Sequence, residues 1–271
     1  MTEAPKGRAD APVHTTEAPP QLVRRASARG VTTLTLDSPH NRNALSTRLI
    51  GELGEALDAA ERDPDTRAVV LTHTGNTFCA GADLTEASTS GSPTSGPLAL
   101  TALLRRVVEL PKPVVARVTG HVRAGGLGLL GACDIAIAGP GASFAVTEAR
   151  LGLAPAVISM PLLPRLDPRA AGRYYLTGER FDAAEAARIG LVTLATDGEV
   201  DEALGPILDG LRRASPQGLA EAKRLTTADV LRTFDRDTED LAARSARLFA
   251  SDEAREGMTA FLERRDPAWA R

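Results

Sequence analysis

The chain has 271 residues, of which 43% are hydrophobic and 25% are charged, and its formal net charge is −3. This length and composition allow one large globular domain, or a domain with an appendage. The small net charge excludes a global field that attracts nucleic acid or an anionic membrane, and no apolar run approaches the roughly 20 residues that span a bilayer.

The first 20 residues are rich in Pro, Ala, Thr and Glu, so we expect a disordered tail. The tail lacks the apolar core of a signal peptide, and we therefore expect a cytoplasmic protein. Neither Cys79 nor Cys133 matches a metal-ligand spacing, and the four histidines are scattered. We expect buried, reduced thiols and no metal site.

Apolar patterns in the first part of the chain predict a hairpin, then a helix and a strand. Two short runs, Leu22 to Ala26 and Val31 to Leu36, flank a turn that contains glycine and predict a β-hairpin. Helical spacing then runs from the candidate N-cap Ser46 to Asp63, and Ala68 to Thr72 is an apolar strand.

The segment Thr85 to Pro97 consists mainly of Ser, Thr, Gly and Pro, which predicts a loop. Such a loop is either a mobile lid or a surface insertion. Helical spacing returns over Leu98 to Leu110, a strand is predicted at Val114 to Val118, and Gly125 to Cys133 predicts a helix of small residues.

The remainder of the chain predicts short strands followed by helices. Strands are predicted at Ile135 to Ala138 and Ser143 to Val146, and helices at Pro168 to Leu176, Asp182 to Gly190, 200 to 213, 217 to 227, 232 to 249 and 252 to 264. Alternating strands and helices with a helical tail predict an α/β fold. We divide the chain into the tail at 1–20, the core at 21–200 and a helical C-terminal region at 201–271.

Two glycine-containing turns, at 76–84 and 120–126, follow two of the predicted strands. If these strands are parallel neighbours, their C-terminal ends meet at the edge where α/β sheets bind ligands. The N–H groups of Ala82 and Gly125 then point at one oxygen atom as an oxyanion hole. The alternatives are glycines that serve packing alone, and a phosphate-binding turn, although the spacing matches neither GxGxxG nor the P-loop.

Glu148 is the candidate catalytic base. It follows the apolar segment SFAVT and precedes LGLAPAVI, so its carboxylate is poorly solvated. Burial raises the pKa of a carboxylate toward values that suit proton transfer near neutrality. The alternative role for Glu148 is a salt bridge with Arg150 or Arg123.

Six segments together resemble the crotonase superfamily, also called the enoyl-CoA hydratase/isomerase family. They are NRNALS at 41–46, NTFCAGADL at 76–84, KPVVARVTGHVRAGGLGLLGACDIAIA at 112–138, FAVTEARLGLAP at 144–155, YLTGERFDAAEAARIGLV at 175–192 and EGMTAFLERRDPAW at 256–269. Their order and spacing are specific, and the resemblance runs from about Leu22 to Trp269.

The resemblance implies a crotonase-like spiral of ββα units with a helical C-terminal region that builds homotrimers, often paired into hexamers. It also implies that the substrates are acyl thioesters of coenzyme A, with coenzyme A as part of the substrate and no further cofactor. By motif position, the two amides of the oxyanion hole fall on Ala82 and Gly125, and the catalytic glutamate falls on Glu148.

The same resemblance suggests four residues for substrate binding. Arg42 lies in the segment that lines the coenzyme A groove of the family, and Asp83 and Leu84 belong to the hole turn. Arg123 is a candidate partner for a distal carboxylate of the substrate.

One position departs from the family pattern. Typical hydratases carry a second catalytic glutamate three residues after the hole glycine, where this chain has Gly128. Glu86 reaches inward only if the lid folds over the site. With a single acid, two reactions are possible. In hydration of a 2-enoyl thioester, Glu148 takes a proton from water and returns one to C2. In isomerisation of a 3-enoyl thioester, Glu148 moves a proton from one carbon to another.

Gly128 together with TEARLGLAPAVIS resembles a branch that includes 3-methylglutaconyl-CoA hydratases, and hydration is therefore the preferred hypothesis. A hypothesis of another class is a catalytically inactive subunit that binds acyl-CoA or serves as a scaffold.

Overall fold

The computed structural model describes residues 20–89 and 95–270, which form two β-sheets and ten α-helices. The strands are β1 Val23–Ala28, β2 Val31–Leu36, β3 Ala68–His73, β4 Thr77–Cys79, β5 Val114–Val118, β6 His121–Arg123, β7 Ile135–Ala138, β8 Ser143–Ala145, β9 Phe181–Asp182 and β10 Leu194–Ala195. The helices are α1 Thr47–Arg62, α2 Leu84–Thr89, α3 Ser95–Glu109, α4 Gly125–Ala132, α5 Ser159–Leu162, α6 Pro168–Thr177, α7 Ala183–Arg188, α8 Val200–Arg213, α9 Pro216–Phe249 and α10 Asp252–Glu263, with short 3₁₀ helices at Pro39–Asn41 and Glu148–Leu151. Apart from Pro20, the predicted disordered tail lies outside the described residues.

The larger sheet has six strands in the order β1-β2-β3-β5-β7-β10. The predicted hairpin β1-β2 is antiparallel, and the strands from β2 to β10 pair in parallel. All six residues of β3 are buried, because alternate side chains enter two different hydrophobic clusters. Both faces of this sheet are therefore covered, as the continuous apolar runs predict.

The smaller sheet has four strands in the order β4-β6-β8-β9. Its first three strands are parallel, and β9 pairs antiparallel with β8. Each of β4, β6 and β8 follows a strand of the larger sheet after a short turn. The chain thus makes repeated ββα turns, which confirms the predicted crotonase-like spiral.

Most predicted elements agree with the structure, and the cysteines are free and buried as expected. The predicted N-cap is also present, since Ser46 Oγ accepts from Leu49 N–H, and Asp182 Oδ1 caps α7 in the same way by accepting from Glu185 N–H. The strands β4 and β6 were not predicted, because three residues are too few for a periodic pattern.

Two predictions were wrong. The segment from Thr85 to Pro97 is not a continuous loop, because Leu84–Thr89 is helical and α3 already begins at Ser95. The carboxylate of Asp83 accepts hydrogen bonds from two backbone N–H groups in the first turn of α2, which explains the helix start. The two helices predicted over 217–227 and 232–249 form the single helix α9, whose middle contains neither Pro nor Gly.

The C-terminal helices cover the core on several sides. Helix α8 packs on one face of the larger sheet through Val200, Leu204 and Leu208. Helix α9 packs against α3 and α5, whereas α10 packs against the 3₁₀ helix Glu148–Leu151. Among the helices of the described ranges, none combines the length and apolar character needed to cross a membrane.

Candidate active site

Three turns lie together at the C-terminal edge of the smaller sheet. Ala82 follows β4, Gly125 follows β6 and Glu148 follows β8, and these three strands are parallel neighbours. The fold therefore brings the three predicted catalytic residues to one edge, where parallel sheets commonly bind ligands.

The turns that carry Ala82 and Gly125 touch each other. Gly81 has φ +92°, and an ideal Cβ on it would lie 3.1 Å from the nitrogen of Gly125 and 2.8 Å from Ala124 Cβ. An ideal Cβ on Gly125 would lie 3.6 Å from the nitrogen of Ala82. Glycine at position 81 is what permits this close approach, since a Cβ there would overlap the side chain of Ala124.

The N–H groups of Ala82 and Gly125 have no hydrogen-bond acceptor within the described part of the chain. Gly125 is the first residue of α4, so its N–H lies at the positive end of that helix. Ala124, just before it, has φ 47° and ψ −123°, an unusual conformation for a residue with a Cβ. Both donors are thus available to an oxygen atom that carries negative charge.

The segment NRNAL at 41–45 stabilises this edge of the smaller sheet, mainly through Asn43. Asn43 was not predicted from the sequence as a site residue. Asn43 is buried at φ 53°, where asparagine is tolerated better than most residues. Its side chain accepts from Ser38 N–H (2.7 Å) and donates to the carbonyls of Thr74 (3.1 Å) and Thr77 (2.7 Å). Two residues later, Leu45 N–H donates to Gly81 O at 2.8 Å.

Glu148 is buried, with only 9% of its surface exposed. Its Oε2 atom has no hydrogen-bond partner among the described residues. Burial raises the pKa of Glu148 to about 7, while hydrogen bonds from the backbone of Thr147 and Glu148 partly oppose this shift. A carboxyl group with this pKa exchanges protons readily near neutral pH.

The alternative role of Glu148, a salt bridge, is not present in the described residues. Arg150 Nε donates to Thr177 O instead, at 2.8 Å. Arg123 donates to Val122 O and to both oxygens of Ser143, so its guanidinium lies back along the smaller sheet.

The remaining predicted substrate-binding residues have structural contacts of their own. Arg42 is exposed, and its carbonyl accepts from Ala80 N–H beside the hole turn (3.1 Å). Asp83 caps α2, and Leu84 packs against a hydrophobic cluster that includes α10. Their roles toward a substrate stay predictions.

Gly128, where the family pattern has its second glutamate, packs closely against α5. An ideal Cβ on Gly128 would lie 2.5 Å from Ile158 Cγ2 and 3.2 Å from Leu104 Cδ1. Glu86, the other acid considered, accepts from Thr47 N–H at 2.8 Å, at the start of α1. Apolar side chains therefore occupy the room that a second acid on α4 would need.

Tyr175 is a further residue of the site that the sequence did not reveal. It lies close enough to Glu148 for the carboxylate to help burial raise the pKa of the phenol, and Ser159 Oγ donates to its hydroxyl at 3.4 Å. A cavity of about 400 Å³ lies beside Tyr175, and its lining also includes Pro155, Ser159, Met160, Leu241 and Arg244. Tyr175 begins the segment at 175–192 that contributes to the resemblance, but its position beside Glu148 was not predicted, because only the packing of α6 brings it there.

The spiral of ββα turns and the three converging turns define the crotonase class of fold. The pattern that describes the enoyl-CoA hydratase/isomerase family matches residues 26–271. The chain belongs to this family and is an enzyme of the hydratase/isomerase type.

Known relatives cover nearly the whole chain. An enoyl-CoA hydratase from Mycobacterium avium, solved by crystallography, is 56% identical with a TM-score of 0.86, and the match covers 92% of this chain and 99% of that one. The enoyl-CoA hydratase EchA19 of Mycobacterium tuberculosis is 35% identical over 268 residues, which cover 92% of this chain and 96% of the relative. The 1,2-epoxyphenylacetyl-CoA isomerase of Escherichia coli is 34% identical over 256 residues, with coverages of 88% and 94%.

Proposed function

We propose that this protein is a hydro-lyase that adds water to a 2-enoyl-CoA thioester, with Glu148 as its acid and base. The observation that carries the proposal is one buried carboxyl group of raised pKa at the same sheet edge as two backbone N–H groups that have no acceptor among residues 20–89 and 95–270. The names of the relatives support an acyl-CoA substrate. Coenzyme A belongs to that substrate, and no further cofactor is proposed.

In this mechanism the ionised Glu148 takes a proton from water while the water oxygen bonds to C3 of the substrate. The electron pair of the C2–C3 double bond moves toward the thioester, whose oxygen becomes negatively charged as an enolate. The N–H groups of Ala82 and Gly125 stabilise that charge, and each such donor contributes roughly 3 kcal/mol in a dry site. Glu148 then returns the proton to C2, which restores the enzyme.

The second candidate function is isomerisation, in which Glu148 moves a proton between two carbons of a 3-enoyl thioester. The packing of Ile158 against Gly128 favours isomerisation. The surface beside the proposed oxyanion hole is apolar there and offers no second acid to hold a water molecule. The inactive-subunit hypothesis is disfavoured, since the buried carboxyl group and both hole residues are in place.

The test is an absorbance assay at the enoyl-thioester band with crotonyl-CoA, longer 2-enoyl-CoA, 3-enoyl-CoA and methylglutaconyl-CoA. Hydration removes the absorbance of a 2-enoyl substrate, whereas isomerisation creates it from a 3-enoyl substrate. We expect hydration by the natural protein, and we expect Glu148→Gln to lose about 100-fold to 10,000-fold in kcat.

A matched control is Glu55→Gln, which makes the same chemical change on the exposed side of α1. It should retain full activity. An equally active Glu148→Gln variant would remove Glu148 from the mechanism, and turnover of the 3-enoyl substrate alone would establish the isomerase instead. The homotrimeric or hexameric assembly and the cytoplasmic location stay predictions.

A further inference from the structure

The turn that carries Glu148 is held between two helices. It comprises the 3₁₀ helix Glu148–Leu151 and continues to Leu153, whose N–H donates to Glu148 O at 3.0 Å. On one side, Arg150 Nε binds Thr177 O at the end of α6. On the other side, α10 lies directly against the end of the turn.

The contact with α10 is made by backbone on both sides. Gly152 has φ +70°, and an ideal Cβ on it would lie 2.6 Å from the carbonyl carbon of Glu253. An ideal Cβ on Gly257 would lie 2.5 Å from the carbonyl carbon and oxygen of Leu151. Residues 253 and 257 are one helical turn apart, so the same face of α10 meets the turn at two successive points. Neither contact leaves room for a side chain.

The same helix also reaches the segment of the oxyanion hole. Leu153, Ala254 and Met258 form a buried cluster, and Leu84 packs against it. Leu84 begins α2, two residues after Ala82. Helix α10 thus contacts the turn of the base and contributes two residues to the cluster on which the segment after the hole amide packs.

We infer that α10 is a positioning element of the active site and that Gly257 is its positioning residue. Because Gly257 lets α10 approach Leu151 at backbone distance, the helix fixes the turn that begins at Glu148. The cluster that Met258 forms with Ala254 and Leu153 also supports Leu84 at the start of α2. This inference rests on the proposed function, since it assigns α10 a role in placing the proposed base relative to the proposed hole.

The charged groups around Glu148 do not complicate the assignment. Tyr175, from α6, is the titratable group beside it. The side chains of α10 and its C-terminal extension are engaged with one another, in the pairs Arg255 with Asp252 and Arg265 with Glu256.

The experiment compares Gly257→Ala with Gly210→Ala in the full chain. Gly210 lies in the exposed part of α8 with open space around it, so the control makes the same change where alanine meets nothing. We expect Gly210→Ala to keep kcat and to melt at the same or a higher temperature, because alanine favours helices. We expect Gly257→Ala to lose about 100-fold in kcat, with KM changed much less. The reason is that the added methyl group displaces Glu148 by a fraction of the length of a hydrogen bond.

Two readouts separate positioning from a general loss of stability. A loosened turn admits solvent to Glu148, so the acidic limb of the kcat profile should move to lower pH in Gly257→Ala. Hydrogen–deuterium exchange should rise at residues 148–153 in Gly257→Ala and not in Gly210→Ala. Unchanged kcat, acidic limb and exchange in a folded Gly257→Ala variant would overturn the inference.

If Gly257→Ala does not fold, Met258→Ala replaces it, since this change loosens the same face of α10 without a clash. Faster hydrogen–deuterium exchange at 148–153 and lower kcat in the Met258→Ala variant support the inference. An exchange rate and a kcat equal to those of the natural protein overturn it. If the natural protein turns over none of the enoyl thioesters, the proposed function fails by itself. Exchange at 148–153 then still decides whether α10 fixes the turn.

Discussion

At the scale of single residues, the site depends on one carboxyl group kept away from water. Glu148 has neither an ion pair nor a partner for Oε2 among the described residues, so burial is the dominant influence on its protonation. A buried acid that is not paired is unfavourable for folding once it ionises. The residue therefore links the proposed catalysis to the pH dependence of stability.

The sign of that dependence follows from the two pKa values. Glu148 has a pKa of about 7 in the folded protein against an ordinary value of 4.5. Its contribution to stability is fully present below pH 4.5 and is lost as the pH rises through 7, with a total of about 3 kcal/mol.

We expect Glu148→Gln to lose less stability than the natural protein between pH 5 and pH 8, because glutamine does not ionise. Urea unfolding at the two pH values measures the difference, and Glu55→Gln should follow the natural protein. Parallel curves for all three proteins would show that Glu148 does not titrate in this range.

Residue types and spacing predicted Ala82, Gly125 and Glu148 as neighbours, although Ala82 and Gly125 follow the short strands β4 and β6 of the smaller sheet and not the apolar strands expected from the sequence. Asn43 and Tyr175 were not predictable in the same way. The hydrogen bonds of Asn43 join loops more than 30 residues apart in sequence, and Tyr175 meets Glu148 only through the packing of α6. Such contacts leave no periodic signal in the sequence.

At the scale of elements, long periodic segments were predicted well and short ones were not. Helices α1 and α8 start and end close to their predicted limits, because each has strong helical spacing. The strands β4 and β6 have three residues each and were described only as turns. Helix α2 was missed because it has only six residues and begins a segment rich in Ser, Thr, Gly and Pro, and Asp83 provides the cap that starts it.

Helix α4 shows how glycine can serve different contacts on one helix. Gly125 provides an amide of the proposed oxyanion hole, Gly126 packs on Cys79 of β4, and Gly128 admits Ile158, the residue before α5. A side chain at the third of these positions would have to displace a buried isoleucine. The apolar wall beside the hole is therefore a property of the α4–α5 contact and not of Gly128 alone.

We expect Gly128→Ala to destabilise the protein by about 1–3 kcal/mol through this overlap. The double variant Gly128→Ala/Ile158→Ala should lose less free energy of unfolding than the sum of the two single variants, by about 1 kcal/mol or more. The reason is that the change at 158 makes room for the methyl group at 128. Urea unfolding of the four proteins gives this coupling. Gly172→Ala, with nothing within 4 Å, is the control and should be neutral or stabilising; additive losses at 128 and 158 would contradict the packing.

At the scale of the whole molecule, a buried ion pair joins the C-terminal helices to the core. Lys223 of α9 lies 2.7 Å from Asp134 Oδ2 and donates to the carbonyls of Val107 and Lys112. The same carboxylate accepts from Val114 N–H at the start of β5. Burial raises the pKa of Asp134 and lowers that of Lys223, so each charge depends on the other.

We expect Lys223→Met to destabilise the protein by about 3–5 kcal/mol, since it leaves a buried carboxylate without its cation. Adding Asp134→Asn should restore much of the loss, because the remaining side chain is neutral and can still accept from Val114 N–H. Thermal unfolding of the two variants measures this, with the exposed Arg224→Met as control. A double variant as unstable as the single one would show that Lys223 acts through packing instead of charge.

The order of strands in the two sheets has a consequence for synthesis. Both sheets add their strands in the order of the chain, β1-β2-β3-β5-β7-β10 and β4-β6-β8-β9. A nascent polypeptide can therefore dock each new turn on the one already made as it leaves the ribosome, without opening earlier pairs. Helix α10 follows all of these strands in the chain, so it can dock on the turn of Glu148 only after both sheets have formed.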